Sequence, residues 1–152
     1  MIAPHPTSKI DATLARGTLT GLNPATATKP AFLSLGVAGT SYQIHLQYAD
    51  TAQAALQAKL ETISKRLIGT IHAQAKRIDV VQTGGQYVEP VMGRPRRVQG
   101  TVIAIKGNEV VVDAGVPIHC TPTDPRQNAS QFQAGQFVSF DVMDGARLSV
   151  QA

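Results

Sequence analysis

The chain has 152 residues, of which 43% are apolar, and a formal net charge of +4 at neutral pH. This apolar fraction is typical of a folded protein with a packed core, and no run approaches the roughly 20 consecutive apolar residues of a membrane-spanning helix. The first residues hold no basic stretch followed by an apolar run, so we expect a cytoplasmic protein without a secretory signal. A single cysteine, Cys120, excludes a disulfide within the chain.

The first half of the chain is predicted to be a tail followed by strands. Residues 1–9 are expected to form a flexible N-terminal tail. The stretches that follow are rich in β-formers or alternate between apolar and polar residues, which is typical of half-buried strands. Five strands are predicted here, near residues 12–22, 31–37, 41–48, 70–75 and 77–82.

One helix is predicted, over residues 50–67, between the third and fourth strands. Asp50 is a favourable N-cap, and Lys65 and Arg66 would place positive charge in the last turn, where it suits the helix dipole. The apolar residues of this segment recur at spacings of four, three and four, which gives one face for the core. These residues are Leu56, Leu60, Ile63 and Leu67.

A hairpin is predicted over residues 80–88, because two β-rich stretches flank Gly84-Gly85. A linker follows. The second half then repeats the pattern of strands, with one short helical turn near residues 129–132 in place of the helix. Its five strands are predicted at residues 99–105, 109–113, 116–121, 136–142 and 147–151.

The two halves share three short matches in the same order, which indicates an internal repeat. The offsets between the matches are unequal, so the first copy holds extra residues in its loops. The matches pair Gly17-Thr18-Leu19 with Gly100-Thr101-Val102, Ile44-His45 with Ile118-His119, and Arg77-Ile78-Asp79-Val80 with Arg147-Leu148-Ser149-Val150.

Three strands, a helix or loop, and two further strands make up the order of an OB-fold, a partly open Greek-key barrel. The sequence therefore predicts an all-β fold with one helix, built as two tandem OB-like five-stranded Greek-key β-barrels. The first barrel is assigned to residues 10–92, with the helix and the hairpin, and the second to residues 93–152.

Residues 97–151 carry a further resemblance. Its motifs are Gly100-Thr101-Val102 with Ile105, the stretch from Val116 to Thr121, Gly135-Gln136-Phe137-Val138 with Val142, and Arg147-Leu148-Ser149. In these residues the second half resembles the S-one type RNA-binding domain, an OB-fold family.

The resemblance implies that His119, on the third strand, faces RNA. Strand geometry also predicts that His119 points outward, because its neighbours Ile118 and Cys120 would then face the core. His45 is expected to do the same between Ile44 and Leu46. An ordinary solvent-facing role for both histidines is the alternative.

Basic side chains are concentrated in the centre of the chain. Between Lys59 and Lys106 there are nine basic and three acidic residues, a net charge of +6. Such a segment either attracts phosphates or is an ordinary solvated surface. Aromatic rings for base stacking are few: Phe137 is expected to face outward on a strand, and Phe32, Tyr42, Tyr48 and Phe140 are assigned to core faces. The candidate nucleic-acid-binding residues are Arg94, Arg96, Arg97, Lys106, His119, Phe137, Lys76 and Arg77.

The sequence favours a non-catalytic module that binds single-stranded DNA or RNA through a basic surface. The alternative is a structural or protein-interaction module that joins partner chains, or copies of itself, through barrel edges or the hairpin. An enzyme is not expected, because His119 and Cys120 are neighbours on a strand and point to opposite faces. The histidines lack metal-ligand spacing, and no cofactor, metal or membrane partner is expected.

Overall fold

The computed structural model describes residues 11–82 and 84–151, and the predicted tail over residues 1–9 lies outside the described residues. Strands dominate this part of the chain, and one helix, α1 (Gln53–Leu60), follows a short 3₁₀ turn at Asp50–Ala52. The predicted all-β class with one helix is confirmed. The strands are β1 (Ala15–Asn23), β2 (Phe32–Val37), β3 (Gln43–Gln47), β4 (Arg66–Ala75), β5 (Ile78–Val80), β6 (Tyr87–Glu89), β7 (Met92–Gly93), β8 (Arg97–Lys106), β9 (Glu109–Asp113), β10 (Pro117–Pro122), β11 (Phe137–Asp141) and β12 (Arg147–Val150).

Five of the strands close into a barrel, consistent with an OB-like fold. Around the barrel the order is β1, β2, β3, β12 and β4, and β4 pairs back with β1. Strand β12 lies antiparallel to β4 and parallel to β3. The place of the fifth strand in this barrel is therefore filled by the last strand of the chain. We call these five strands the first ring.

A second circuit of pairings shares β4 with the first ring. Strand β10 pairs with β9, β9 with β8, and β8 with β11. The C-terminal half of β4 pairs in parallel with β10, and β5, which follows β4 after two residues, pairs with β11. The continuous segment from Ile71 to Val80 therefore closes what we call the second ring. All of these strands belong to one sheet.

The predicted assignment of the two fifth strands is wrong. Residues 77–82 were expected to complete the first barrel and residues 147–151 the second, whereas β5 pairs with β11 and β12 pairs with β4. The division into residues 10–92 and 93–152 consequently does not separate the two rings, because each range supplies one strand to the other. The physical reason is that β4 runs straight on into the second ring and does not turn back.

The predicted hairpin over residues 80–88 is also absent from the described residues. Strand β5 pairs with β11, while β6 pairs with β8, so the two strands flanking Gly84 and Gly85 have different partners. The segment predicted as a linker contains β7, which pairs in parallel with β3. These short strands attach the connection between the halves to both rings.

The helix is shorter than predicted and ends at Leu60 rather than at residue 67. Leu56 is buried, but Ile63 is fully exposed, and Leu67 belongs to β4, where it pairs with Gly17. Leu67 also shares a period of two with the buried residues Gly69 and Ile71, and this strand pattern prevails over the helical one. Asp50 makes no capping hydrogen bond, since the residue before the first turn is Ala49.

Two glycines, one in each half of the chain, let neighbouring strands approach closely. A Cβ atom on Gly17 would lie 2.4 Å from the carbonyl oxygen of Gly36, and one on Gly100 would lie 2.1 Å from that of Asp113. The register also shifts two residues further along in each strand, between Leu19 and Gly21 in β1 and between Val102 and Ala104 in β8. Gly17 and Gly100, which belong to the first of the predicted sequence matches, therefore have the same steric role in β1 and β8.

Replacing Gly17 with alanine should destabilise the fold, because its Cβ would force β1 away from β2. We expect the free energy of unfolding in urea to fall by about 1–3 kcal/mol. Gly21→Ala is the matched control in the same strand, since its Cβ would meet no atom closer than 3.7 Å, and it should change the free energy by less than about 0.5 kcal/mol. Equal losses for the two variants would contradict this account.

Replacing Leu148 with alanine tests the placement of β12. Leu148 is buried and pairs with Ile71 of β4, so its truncation should lower the free energy of unfolding by about 2–5 kcal/mol. Ser149→Ala, at an exposed position of the same strand, serves as the control. Changes in amide chemical shift should centre on β4 and on Gln47 of β3. If they centred instead on β11, the strand exchange would be refuted.

Candidate functional site

The structure separates the predicted binding residues into three groups. Lys76, Arg77 and Arg97 line one cleft, and Arg94 and Arg96 line another. The other three lie elsewhere: Lys106 and His119 beside the start of the described chain, and Phe137 on β11, where it is partly buried.

In the first cleft, named here the paired-charge cleft, nearly every cation already has a carboxylate partner. Arg77 pairs with Asp79 at 2.8 Å, and Arg97 pairs with Asp141 at 2.8 Å. The third pair is Arg126 with Asp124, at 2.9 Å. A phosphate would have to compete with these carboxylates. The lining residues are Lys76, Arg77, Asp79, Arg97, Asp124, Arg126, Ser139, Phe140 and Asp141.

The pair of Asp124 with Arg126 persists over the ordinary pH range. Hydrogen bonds from the Arg126 side chain lower the pKa of Asp124 from its usual value to about 2. Asp124 is therefore a carboxylate wherever the protein is folded near neutral pH, and it keeps its hold on Arg126.

The second cleft, named here the aromatic cleft, has a volume of about 580 Å³ and contains two rings. Phe32 on β2 and His45 on β3 lie against each other, with ring centroids 4.9 Å apart and planes inclined by 31°. The cleft is lined by Thr28, Lys29, Pro30, Phe32, His45, Gln47, Arg94, Arg96, Asp144, Gly145 and Ala146.

The alternation along β2 and β3 places these rings on the outer face of the first ring. Leu33 and Leu46 are fully buried, so Phe32 and His45, each next to one of them in sequence, point to the opposite side of the sheet. Phe32 was assigned to a core face, and this is wrong, because its ring is partly exposed in the cleft. His45 points outward as predicted.

The aromatic cleft has an excess of positive charge. Arg94 forms an ion pair with Asp144, whereas no carboxylate pairs with Lys29 or Arg96 among the described residues. With three cations and one carboxylate in the lining, the formal net charge is +2. Two cations beside two rings form a surface that can bind phosphate oxygens and stack a flat ring.

His119 is the predicted site residue whose surroundings differ most from expectation. It was predicted to face outward to solvent, yet it is only 3% exposed. Its Nε2 donates to the carbonyl oxygen of Thr13 at 2.7 Å, and its Nδ1 lies 3.6 Å from Glu109. The other carboxylate oxygen of Glu109 is 2.7 Å from Nδ1 of His72. The residue is on the outer side of its strand, but another part of the chain covers it.

The chemistry of this part of the chain offers no obvious catalytic or metal centre. Burial raises the pKa of the Cys120 thiol well above its usual value, so Cys120 remains a protonated core residue. No cluster of three metal-ligating side chains occurs among residues 11–82 and 84–151. The expectation of a non-catalytic protein without a cofactor stays a prediction.

No protein-family model, curated protein or solved structure matches the chain.

In the part of the chain that the structure describes, α1 is far too short and polar to cross a bilayer, and no other helix could do so.

The exposure of the histidines predicts their reactivity. His45 lines an open cleft and His119 is covered, so diethyl pyrocarbonate should modify His45 at least about tenfold faster, in proportion to their access to solvent. Peptide mapping by mass spectrometry measures both rates in the same sample. Comparable rates at the two residues would mean that His119 is not covered in solution.

Proposed function

We propose that the chain is a duplicated OB-like unit that binds single-stranded DNA or RNA in the aromatic cleft. The observation that carries the proposal is the Phe32–His45 ring pair, which lies on a strand face beside Lys29 and Arg96. Stacking on such rings contributes about 1–3 kcal/mol per base and tolerates any sequence. The cations beside the rings suit the phosphates of the same strand.

The position of the cleft on the barrel supports this function. OB-folds bind oligonucleotides on the face of their second and third strands, between the loop joining strands one and two and the loop before strand five. Phe32 and His45 lie on β2 and β3 of the first ring. Residues 28–30 belong to the connection between β1 and β2, and residues 144–146 lead into β12, the fifth strand of that ring.

Duplication is supported by the matching positions in β1 and β8. Gly17 and Gly100 both lie against a neighbouring carbonyl group, and the register shift follows each at the same distance along the strand. The resemblance of the second half to the S-one type RNA-binding domain agrees with an OB-like unit. The protein-interaction alternative has lost the hairpin on which it partly depended.

The proposal predicts two separable effects on the binding of a single-stranded oligonucleotide of about 10 nucleotides. Phe32→Ala should weaken binding by about five- to 100-fold without changing its salt dependence, because it removes stacking. The slope of log K against log salt should be about −1.4 for the two phosphate contacts of Lys29 and Arg96. Arg96→Gln should weaken binding and also reduce this slope by about 0.7. Fluorescence anisotropy over a series of salt concentrations measures both effects.

Arg77→Gln is the matched control, because it removes the same charge from the paired-charge cleft and should leave the affinity nearly unchanged. A loss as large as that of Arg96→Gln would place the ligand in the other cleft. Absence of binding even at low salt would refute the proposed function.

A further inference from the structure

The outer face of β9 and β10 is covered, although strand alternation leaves it on the outside of the second ring. Val111 and His119 are cross-strand partners, and both are buried. Val111 is nevertheless outside the cluster of mutually packed buried residues to which its neighbours Val110 and Val112 belong. Val111 and His119 are therefore buried from the outer side.

Residues 11–14, named here the N-terminal strap, contact this face. His119 donates from Nε2 to the carbonyl oxygen of Thr13 at 2.7 Å, and Lys106 donates from Nζ to the hydroxyl oxygen of the same residue at 2.9 Å. The strap is held in a turn by Asp11, whose Oδ1 accepts from the Thr13 amide at 2.9 Å and from its hydroxyl at 2.6 Å. Thr13 thus links the turn to two side chains of the second ring.

The strap offers these side chains the same groups that a phosphodiester would. Thr13 presents oxygen acceptors to His119 and Lys106, and Asp11 adds a negative charge close by. The hydrogen bonds from Thr13, together with the nearby charges of Lys106 and His119, lower the pKa of Asp11. Phosphate oxygens accept hydrogen bonds from the same donors and carry the same charge.

The covered face is also the counterpart of the aromatic cleft. Strands β9 and β10 hold the places in the second ring that β2 and β3 hold in the first. His119 matches His45 in the repeat, since each follows an isoleucine at the same position of the third strand. One face of the duplicated unit is thus open, and the equivalent face is occupied by the chain itself.

We propose that the outer face of β9 and β10 is a second phosphate-binding site, which the N-terminal strap occupies in place of the ligand. A single-stranded nucleic acid must displace residues 11–14 to reach His119, which is buried, and to replace Thr13 as the acceptor of Lys106, which is exposed. Glu109 lies 3.6 Å from Nδ1 of His119 and 2.7 Å from Nδ1 of His72, on the side of the His119 ring away from Thr13, so Nε2 is the atom that His119 presents to the strap. The inference rests on the proposed function and adds a second, regulated contact to it.

The strap can be loosened in the full chain by Asp11→Ala combined with Thr13→Val. These changes remove the turn and the acceptor for Lys106. We expect about three- to tenfold tighter binding of the same oligonucleotide, because an internal competitor of roughly one hydrogen-bonded contact is lost. Carbethoxylation of His119 should accelerate at the same time, and adding Lys106→Met should reverse the gain in affinity.

The matched control is Asp50→Ala combined with Thr51→Val, which makes the same change in charge and hydroxyl content at two exposed positions beside α1. A gain equal to that of the control, or one that survives Lys106→Met, would refute the second site. So would unchanged reactivity of His119.

The two proposals fail in different ways. If Phe32→Ala and Arg96→Gln weaken binding but loosening the strap has no effect, the second site alone is refuted. If those two variants have no effect while loosening the strap gives a gain that depends on Lys106, the aromatic cleft alone is refuted. If no variant binds the oligonucleotide, both proposals fall.

Discussion

The fold depends on one ten-residue strand that is paired along its whole length with partners from both rings. The N-terminal half of β4 pairs with β1, and its C-terminal half pairs with β10. On its other edge it also pairs with β12. Because β4 continues into β5, it cannot turn back to supply the fifth strand of the first ring. Strand β12 fills that place, and the buried residues of both rings form one hydrophobic core. Loosening either ring therefore exposes apolar surface of the other.

The strand exchange also builds the aromatic cleft. Phe32 and His45 come from the first half of the chain, and Arg96 comes from the connection that β6 and β7 attach to both rings. Residues 144–146 border the cleft because they lead β12 into the first ring. If β12 paired with β11 in the second ring, residues 144–146 would border the second ring, and the aromatic cleft would lose one wall. The position of the candidate site thus follows from the pairing of β4.

Local patterns in the sequence were sufficient for most strands but not for their partners. The run of β-branched residues between two turns predicted β9 at the observed residues, and loop composition predicted the short turn at Ala129–Gln131. The match between residues 77–80 and 147–150 predicted a strand in each segment, and both segments contain one. It could not say which ring each strand completes, because the two strands have the same apolar pattern and would bury the same residues in either ring.

The end of α1 was missed because Leu67 fits both a helical and a strand period. Alternation placed His119 on the outer side of β10, but nothing local to β10 could reveal that Thr13, 106 residues away in sequence, covers it.

Charge counted along the sequence is a poor guide to which cations of this protein are free of a carboxylate partner. The basic centre of the chain includes Arg77, Arg94 and Arg97, and each of these has an aspartate beside it in the folded protein. Two of those aspartates lie beyond Lys106, so the pairing could not be read from the segment itself. An arginine that is already bound to a carboxylate must give up that partner to bind a phosphate, and the net gain is correspondingly small. Arg96 has no carboxylate partner to give up among the described residues. The same is true of Lys29, which lies outside the basic segment of the sequence. In the aromatic cleft, the cations available to a phosphate are therefore those without a nearby carboxylate, and this property is set by the tertiary fold.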